Sequence, residues 1–129
     1  MNKILVEVSV GELMDKISIL EIKKDRIKDT DKLKFINDEY EVLKSELDKN
    51  IKIDEKLAKF FIALKNINSK LWIIEDDKRK CENDSNFGED FIRLSRDVHF
   101  LNDTRAKIKL DINNHTGSKI KEIKEYTNY

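Results

Sequence analysis

Two groups of carboxylates have a spacing that suits metal binding. Glu12 and Asp15 stand three residues apart, which places both side chains on one face of a helix, one turn from each other. Glu75 and Asp76 form a second acidic pair farther along the chain. Mg²⁺ prefers oxygen ligands and often bridges the phosphates of a substrate. If the four carboxylates converge in the fold, they are candidate ligands for Mg²⁺.

Other polar residues interrupt apolar stripes at positions where a buried side chain is expected. Asn68 stands in one such stripe, and Arg105 lies between Leu101 and Ile108 with Asn102 beside it. Buried charges in helical bundles are usually paired and can fix the register of packing. An Asn on an apolar seam has the same interpretation. A structural network is therefore favoured, with a ligand site as the alternative.

The ligand-site alternative implies a specific set of residues in contact with the ligand. The candidate ligand-binding residues are Lys16, Asn102, Asp103 and Arg105. In this hypothesis Arg105 or Lys16 contacts a phosphate beside the metal. Trp72 could also anchor a partner, as tryptophan often does at interfaces, although packing under the first helix is the commoner outcome. The chain has no glycine-rich nucleotide loop, nucleophile elbow or zinc-protease motif.

Four helices are predicted to position these residues. The predicted N-caps are Ser9 for the first helix, Asp54 for the third and Asn86 for the fourth, and the segment Asp29-Thr30-Asp31 is predicted to cap the second. Glu12 is expected to complete a capping box by returning a hydrogen bond to the Ser9 amide. Gly117 suits a left-handed stop after the last helix.

The third and fourth predicted helices have about 28 residues each, or about 42 Å. A short turn at residues 83–88 joins them, so we predict an antiparallel hairpin of matched arms. This register puts Asn68 near Arg105, with Glu75 about two turns away from Arg105. The first two helices, of about 20 residues each, are expected to pack as a second hairpin against one end or side of the first. The apolar spacing of the second helix is also typical of coiled coils. The expected fold is mainly α, a four-helix bundle in one domain over residues 1–129.

Residues 3–8 are predicted to form one short N-terminal β-strand, because they are apolar and rich in β-branched side chains. A strand needs a partner for its backbone groups. The tail at residues 118–129, which is expected to be extended or flexible, is one candidate. The same strand of a second copy is the other. We favour self-association, with a dimer as the expected homo-oligomer.

Composition excludes several classes of protein. The 129 residues include 26 basic and 26 acidic side chains, three Gly, no Pro and one Cys. Pro-rich segments are thereby excluded, an all-β sandwich is disfavoured, and a lone Cys allows no internal disulfide. The balanced charge predicts neither a nucleic-acid nor a membrane partner. Without a long apolar run or a secretory cleavage site, the expected location is cytoplasmic.

Three sequence blocks resemble a family of short, uncharacterised bacterial proteins that is classed as a domain of unknown function. They are VEVSVGEL at residues 6–13 continuing through DKISILEIK at 15–23, LWIIEDD at 71–77, and FG at 87–88 through NDTR at 102–105; Gly117 and Ser118 match as well. The resemblance implies a link to cell-surface polysaccharide and glycosyl transfer. The family-like positions include Glu12, Asp15, Glu75, Asp76, Asn102, Asp103 and Arg105.

Two functions from different classes follow. The favoured one is a non-enzymatic, self-associating accessory or protein-interaction module, linked through the resemblance to cell-surface glycan metabolism and docking onto a protein partner. The alternative is a Mg²⁺-dependent all-α enzyme or binding protein for a nucleotide or another phosphorylated ligand. The alternative draws on a pattern of carboxylates similar to that of all-α nucleotide pyrophosphatases. Convergence of the carboxylates in a cleft would support the Mg²⁺-dependent protein. Pairing of each carboxylate with an Arg or Lys side chain would support the accessory module.

Overall fold

The computed structural model describes residues 3–129, and this part of the chain contains four α-helices and no strand. They are α1 (Val10–Arg26), α2 (Thr30–Asn50), α3 (Glu55–Asn83) and α4 (Glu89–Thr116). The mainly α prediction is thus confirmed. The two longest helices are the two that were expected to form the hairpin.

Local capping signals determine most of the helix starts. Ser9 Oγ accepts a hydrogen bond from the third amide after it at 3.0 Å, and Asp29 and Asp54 cap α2 and α3 in the same way. The predicted N-caps Ser9 and Asp54 are confirmed, and within the predicted capping segment Asp29-Thr30-Asp31 the cap is Asp29. The predicted start at Asn86 is wrong, because Gly88 is the N-cap of α4. Asn86 Oδ1 accepts from the Gly88 amide at 3.2 Å and stabilises the turn instead.

Helices α3 and α4 form the long hairpin, each arm spanning about 42 Å, and α1 packs against both of them. Near the turn, the Lys78 ammonium lies 5.6 Å from the centroid of the Phe91 ring. Helix α1 is central, since it packs against each of the other three helices. Within the described residues, the backbone of α2 approaches that of α1 alone.

Each helix contributes to the hydrophobic core. The buried core cluster consists of Met14, Ile17, Leu47, Leu57, Leu64 and Ile112. Met14 and Ile17 bring α1 into the centre of this cluster, so α1 carries both the middle of the core and the polar residues described below.

The predicted N-terminal strand is wrong. Residues 3–8 have no regular secondary structure, and all six are exposed. Among the described residues, no hydrogen bond joins this segment to another part of the chain. Its composition favours an extended backbone, but a strand also needs a sheet edge to pair with, and the four helices offer none.

The C-terminal tail runs back along α4. Gly117 ends that helix in the left-handed conformation with φ of 68°, which confirms the predicted stop. Residues 118–129 have no regular secondary structure. The Tyr129 hydroxyl donates a hydrogen bond to Asp103, and its ring packs edge-on against Phe100 with 5.0 Å between centroids. The tail therefore covers one side of α4 and does not pair with residues 3–8.

Candidate functional site

A buried carboxylate lies at the centre of the bundle. The Asp15 side chain is only 1% exposed and accepts two hydrogen bonds from the Arg105 guanidinium. Nε of Arg105 donates to Oδ1 at 3.0 Å, and a terminal nitrogen donates to Oδ2. The Asn68 amide donates to Asp15 Oδ1 and to Ser18 Oγ, each at 2.8 Å. Helices α1, α3 and α4 thus meet at one polar group. We call Asp15, Ser18, Asn68, Arg105 and Lys109 the Asp15 cluster.

Within the Asp15 cluster, Lys109 links the buried Asp15 carboxylate to carboxylates nearer the surface. Its ammonium lies 3.6 Å from Asp15 Oδ2 and donates to Glu12 at 2.6 Å and to Glu122 of the tail at 3.2 Å. The Glu12 carboxylate therefore binds Lys109 rather than the Ser9 amide, and the return bond of the predicted capping box is wrong. Each charge in this network has an opposite charge beside it.

The protonation state of Asp15 follows from these contacts. Burial alone raises the pKa of the Asp15 carboxyl, but hydrogen bonds from Arg105 and Asn68 and the charges of Arg105 and Lys109 lower it by more. The net pKa of Asp15 lies below its usual value, and the pKa values of Arg105 and Lys109 are raised. Asp15 is therefore an ionised acceptor at neutral pH, without a proton to donate.

A pH dependence of stability follows from the depressed pKa of Asp15. Its contribution is fully present above the unfolded-state pKa of about 3.9 and is lost as the pH falls through the lower folded-state value. We expect the difference in unfolding free energy between the wild type and Asp15→Asn to be clearly smaller at about pH 3 than at about pH 5. Urea denaturation at the two pH values measures it. Because both proteins carry the same other acidic groups, subtracting one unfolding free energy from the other removes their contributions. An equal free-energy difference at pH 3 and pH 5 would contradict a depressed pKa for Asp15.

A second polar junction joins the start of α1 to the end of α4. The Gly11 amide donates to Asn113 Oδ1 at 2.7 Å, and the Val10 amide lies 3.3 Å from Ser118 Oγ. The Glu12 amide donates to the Ser9 side chain, and the Leu13 amide donates to the Ser9 carbonyl. All four amides of this first turn are therefore satisfied within the chain, and the helix N-terminus presents no free donors to an anion.

The hairpin register predicted from the sequence is confirmed at the Asp15 cluster. Asn68 and Arg105 both donate to Asp15 Oδ1, so they lie at one level of the bundle. Among the described residues no hydrogen bond or ion pair joins Glu75 to Arg105, and Glu75 lies 3.4 Å from Arg79 of its own helix.

The candidate ligand-binding residues are divided by the fold. Asn102, Asp103 and Arg105 line a cavity of about 600 Å³ between α4 and the tail, together with Lys124 and aromatic side chains of the tail. Lys16 does not line this cavity; its half-exposed ammonium lies 4.0 Å from Glu12, one turn away. The structure therefore brings three of the four together.

The four candidate metal ligands lie in two separate environments. Glu12 and Asp15 surround Lys109, whereas Glu75 and Asp76 pair with Arg79 and Lys80 one turn along α3. Both oxygens of Asp15 already accept hydrogen bonds, which leaves little capacity for a cation. Within the described residues, no three His, Cys, Asp or Glu side chains are grouped so that they could hold a metal ion.

An open, largely apolar groove lies next to the Asp15 cluster. We call it the Trp72 groove; its volume is about 330 Å³, and its apolar lining is Ile19, Ile22, Leu71 and Trp72. Its polar lining consists of Asn68, Glu75, Asp76, Arg79 and Arg105. Trp72 is half-buried and lines the groove together with Ile19 and Ile22 of α1.

Several residues of the polar network are absent from the sequence-based set. They are Ser18, Lys109, Asn113, Ser118 and Glu122. The sequence does contain one indication of this network. Polar side chains recur every four residues at Arg105, Lys109 and Asn113, and they therefore share one face of α4. Residues on that face contact the polar side of α1.

The fold and the site define an all-helical bundle whose centre is a fully paired polar cluster. None of the described helices has the length and apolar content needed to cross a membrane. A family model matches residues 4–129, and the chain belongs to that family of unknown function, DUF6165. No curated protein and no solved structure shows a significant match to the chain.

Proposed function

We propose that this protein is a self-associating interaction module, with residues 3–8 as the segment through which copies associate. The observation that carries the proposal is the exposure of three consecutive aliphatic side chains. Ile4, Leu5 and Val6 are 86%, 83% and 74% exposed. The segment precedes a helix start that is firmly fixed by Ser9, Asn113 and Ser118.

Burial of this segment is the main source of affinity in the proposal. Removing an aliphatic side chain from water is worth about 1.5–3 kcal/mol, and three adjacent ones make a substantial anchor. Their backbone amides and carbonyls are also free to pair with another chain. A contiguous exposed apolar patch of this kind is typical of an interaction surface.

The polar cluster supports a structural role for the centre of the bundle. Every buried side-chain nitrogen and oxygen in the described part of the chain has a hydrogen-bond partner. The Mg²⁺-dependent alternative needs carboxylates that converge around an unfilled position, whereas Glu75 and Asp76 lie with cations of their own helix. The accessory role in cell-surface glycan metabolism and the cytoplasmic location remain proposals drawn from the resemblance and the composition.

The oligomeric state tests the proposal. We expect size-exclusion chromatography with light scattering to show a dimer at micromolar concentration. The triple variant Ile4→Ser, Leu5→Ser and Val6→Ser should be a monomer with unchanged helical circular dichroism. Its self-association should weaken by at least about 100-fold, since three buried aliphatic groups are lost.

A matched control comes from an exposed apolar residue outside the segment. Phe35 on α2 is 77% exposed, and Phe35→Ser should leave the dimer unchanged. A monomeric wild type at micromolar concentration would contradict the proposal. So would a triple variant that dimerises as well as the wild type.

A further inference from the structure

We propose that residues 3–7 of two copies pair as antiparallel strands, with the two Leu5 residues facing each other across a two-fold axis. The inference rests on the proposed self-association and names the partner as the same segment of a second copy. Among the described residues, no hydrogen bond joins this segment to another part of its own chain. Its backbone amides and carbonyls are therefore available to a second chain, which supplies the edge that the four helices do not.

The segment is complementary to itself when two copies run in opposite directions. It reads Lys3-Ile4-Leu5-Val6-Glu7, with opposite charges at equal distances from Leu5. In the antiparallel register centred on Leu5, Lys3 of each copy stands opposite Glu7 of the other, and Ile4 stands opposite Val6. Opposite charges and packed apolar side chains directly across an antiparallel pair stabilise it. The two-fold symmetry makes each of these pairs occur twice.

Other alignments of the two segments lose these pairs. Parallel pairing in register sets Lys3 beside Lys3 and Glu7 beside Glu7, and like charges across neighbouring strands are destabilising. A shift of the antiparallel register by one or two residues sets Lys3 or Glu7 opposite an aliphatic side chain. The charge pattern therefore selects one orientation and one register.

The helix bundles have room in this orientation. Ser9, which caps α1, is 3% exposed, so its own bundle already surrounds it. Parallel pairing brings both bundles to the same end of the segments, where the paired strands lie about 4.8 Å apart. In the antiparallel register the two Ser9 residues lie at opposite ends, four residues beyond Leu5 in each direction. At 3.3 Å per residue they are about 26 Å apart, so the bundles do not collide.

All three exposed aliphatic side chains take part in the paired segments. Successive side chains of a strand point to opposite faces. On one face Ile4 and Val6 of both copies form a group of four, and on the other the two Leu5 side chains contact each other between the ion pairs. A two-stranded pair is only marginally stable in water by itself, so we expect a micromolar Kd rather than a tighter one.

Cross-linking between cysteines tests the register directly. In a Cys81→Ser background, Lys3→Cys protein mixed with Glu7→Cys protein should give a covalent dimer with a short thiol–thiol cross-linker, because residues 3 and 7 face each other. Each protein alone should give at least tenfold less, since its two cysteines are about 13 Å apart along the strands. Leu5→Cys alone should cross-link as well as the mixture. Phe35→Cys alone, at an exposed residue of α2, should give at least tenfold less.

Exchange of the two charges is a second test. Lys3→Glu sets like charges opposite each other twice, and we expect a Kd about tenfold weaker. Adding Glu7→Lys restores both ion pairs, so the Kd should return to within about twofold of the wild type. The control adds Glu39→Lys on the exposed surface of α2 instead. It has the same net charge and should stay about tenfold weaker than the wild type. Light scattering over a dilution series measures each Kd.

The outcomes separate this inference from the proposed function. Stronger cross-linking by Lys3→Cys alone and Glu7→Cys alone than by their mixture would mean parallel pairing, which overturns the inference. So would a Glu7→Lys addition that rescues no better than the Glu39→Lys control. A dimer that the Ile4→Ser, Leu5→Ser, Val6→Ser variant abolishes, but that shows neither the cross-link nor the rescue, overturns the pairing and leaves self-association standing. A chain that is monomeric at every concentration overturns both.

Discussion

Replacing Asp15 with alanine is expected to lower the free energy of unfolding by about 2–3 kcal/mol, because it leaves a partly buried guanidinium, 28% exposed, without its counter-charge. Arg105 loses both of its hydrogen bonds to Asp15, and Asn68 loses one. Lys109 keeps Glu12 and Glu122 as partners, so the loss falls mainly on Arg105. Urea denaturation followed by circular dichroism measures the change.

Two control variants make this prediction sharp. Asp76→Ala removes an exposed carboxylate whose nearest cation is Lys80 of its own helix, and it should cost less than about 0.5 kcal/mol. Arg105→Met should be destabilising alone, yet the double variant with Asp15→Ala should cost clearly less than the two single changes added together. Additive effects, or a cost below about 1 kcal/mol for Asp15→Ala, would contradict the central role of the pair.

Replacing Gly11 with alanine is expected to cost about 2–4 kcal/mol, although alanine normally stabilises a helix interior by about 0.5–1 kcal/mol over glycine. A Cβ at residue 11 would lie 2.5 Å from the Lys109 carbonyl oxygen and 3.0 Å from Asn113 Oδ1. The first atom belongs to the backbone of α4, so it cannot rotate away. Helix α1 would have to move, and the hydrogen bond from the Gly11 amide to Asn113 would be strained. Thermal and urea unfolding measure the loss.

Gly88 is the matched control for this substitution. A Cβ there would meet only Asn86 Oδ1 at 3.5 Å, an ordinary contact. Gly88→Ala should therefore change stability by less than about 1 kcal/mol. If Gly11→Ala instead made the protein more stable, the close approach of α1 to α4 would be wrong.

The sequence predicted features that depend on neighbouring residues. Hydroxyl and carboxylate caps at Ser9, Asp29 and Asp54 satisfy nearby amides, so the signal and its effect lie within one turn. The hairpin register followed from two arms of equal length joined by a short turn. It correctly placed Asn68 beside Arg105, because an antiparallel pair fixes which positions share a level.

The sequence did not predict how α1 lies against the hairpin. Nothing in the chain alone shows that Asp15 faces Arg105 and Lys109, since that depends on the rotation of α1 about its axis. The prediction of a strand at residues 3–8 was wrong for a related reason. Composition favours an extended backbone there, but whether a strand forms depends on a partner outside the local sequence.

The central position of α1 has a consequence for the order in which the molecule comes apart. Helix α2 lies beside α1 alone, whereas α3 and α4 lie against α1 and against each other. Detaching α2 therefore separates one pair of helix backbones and exposes Leu47, whereas detaching α1 separates three pairs. The least costly local opening is a swing of α2 away from an intact three-helix unit.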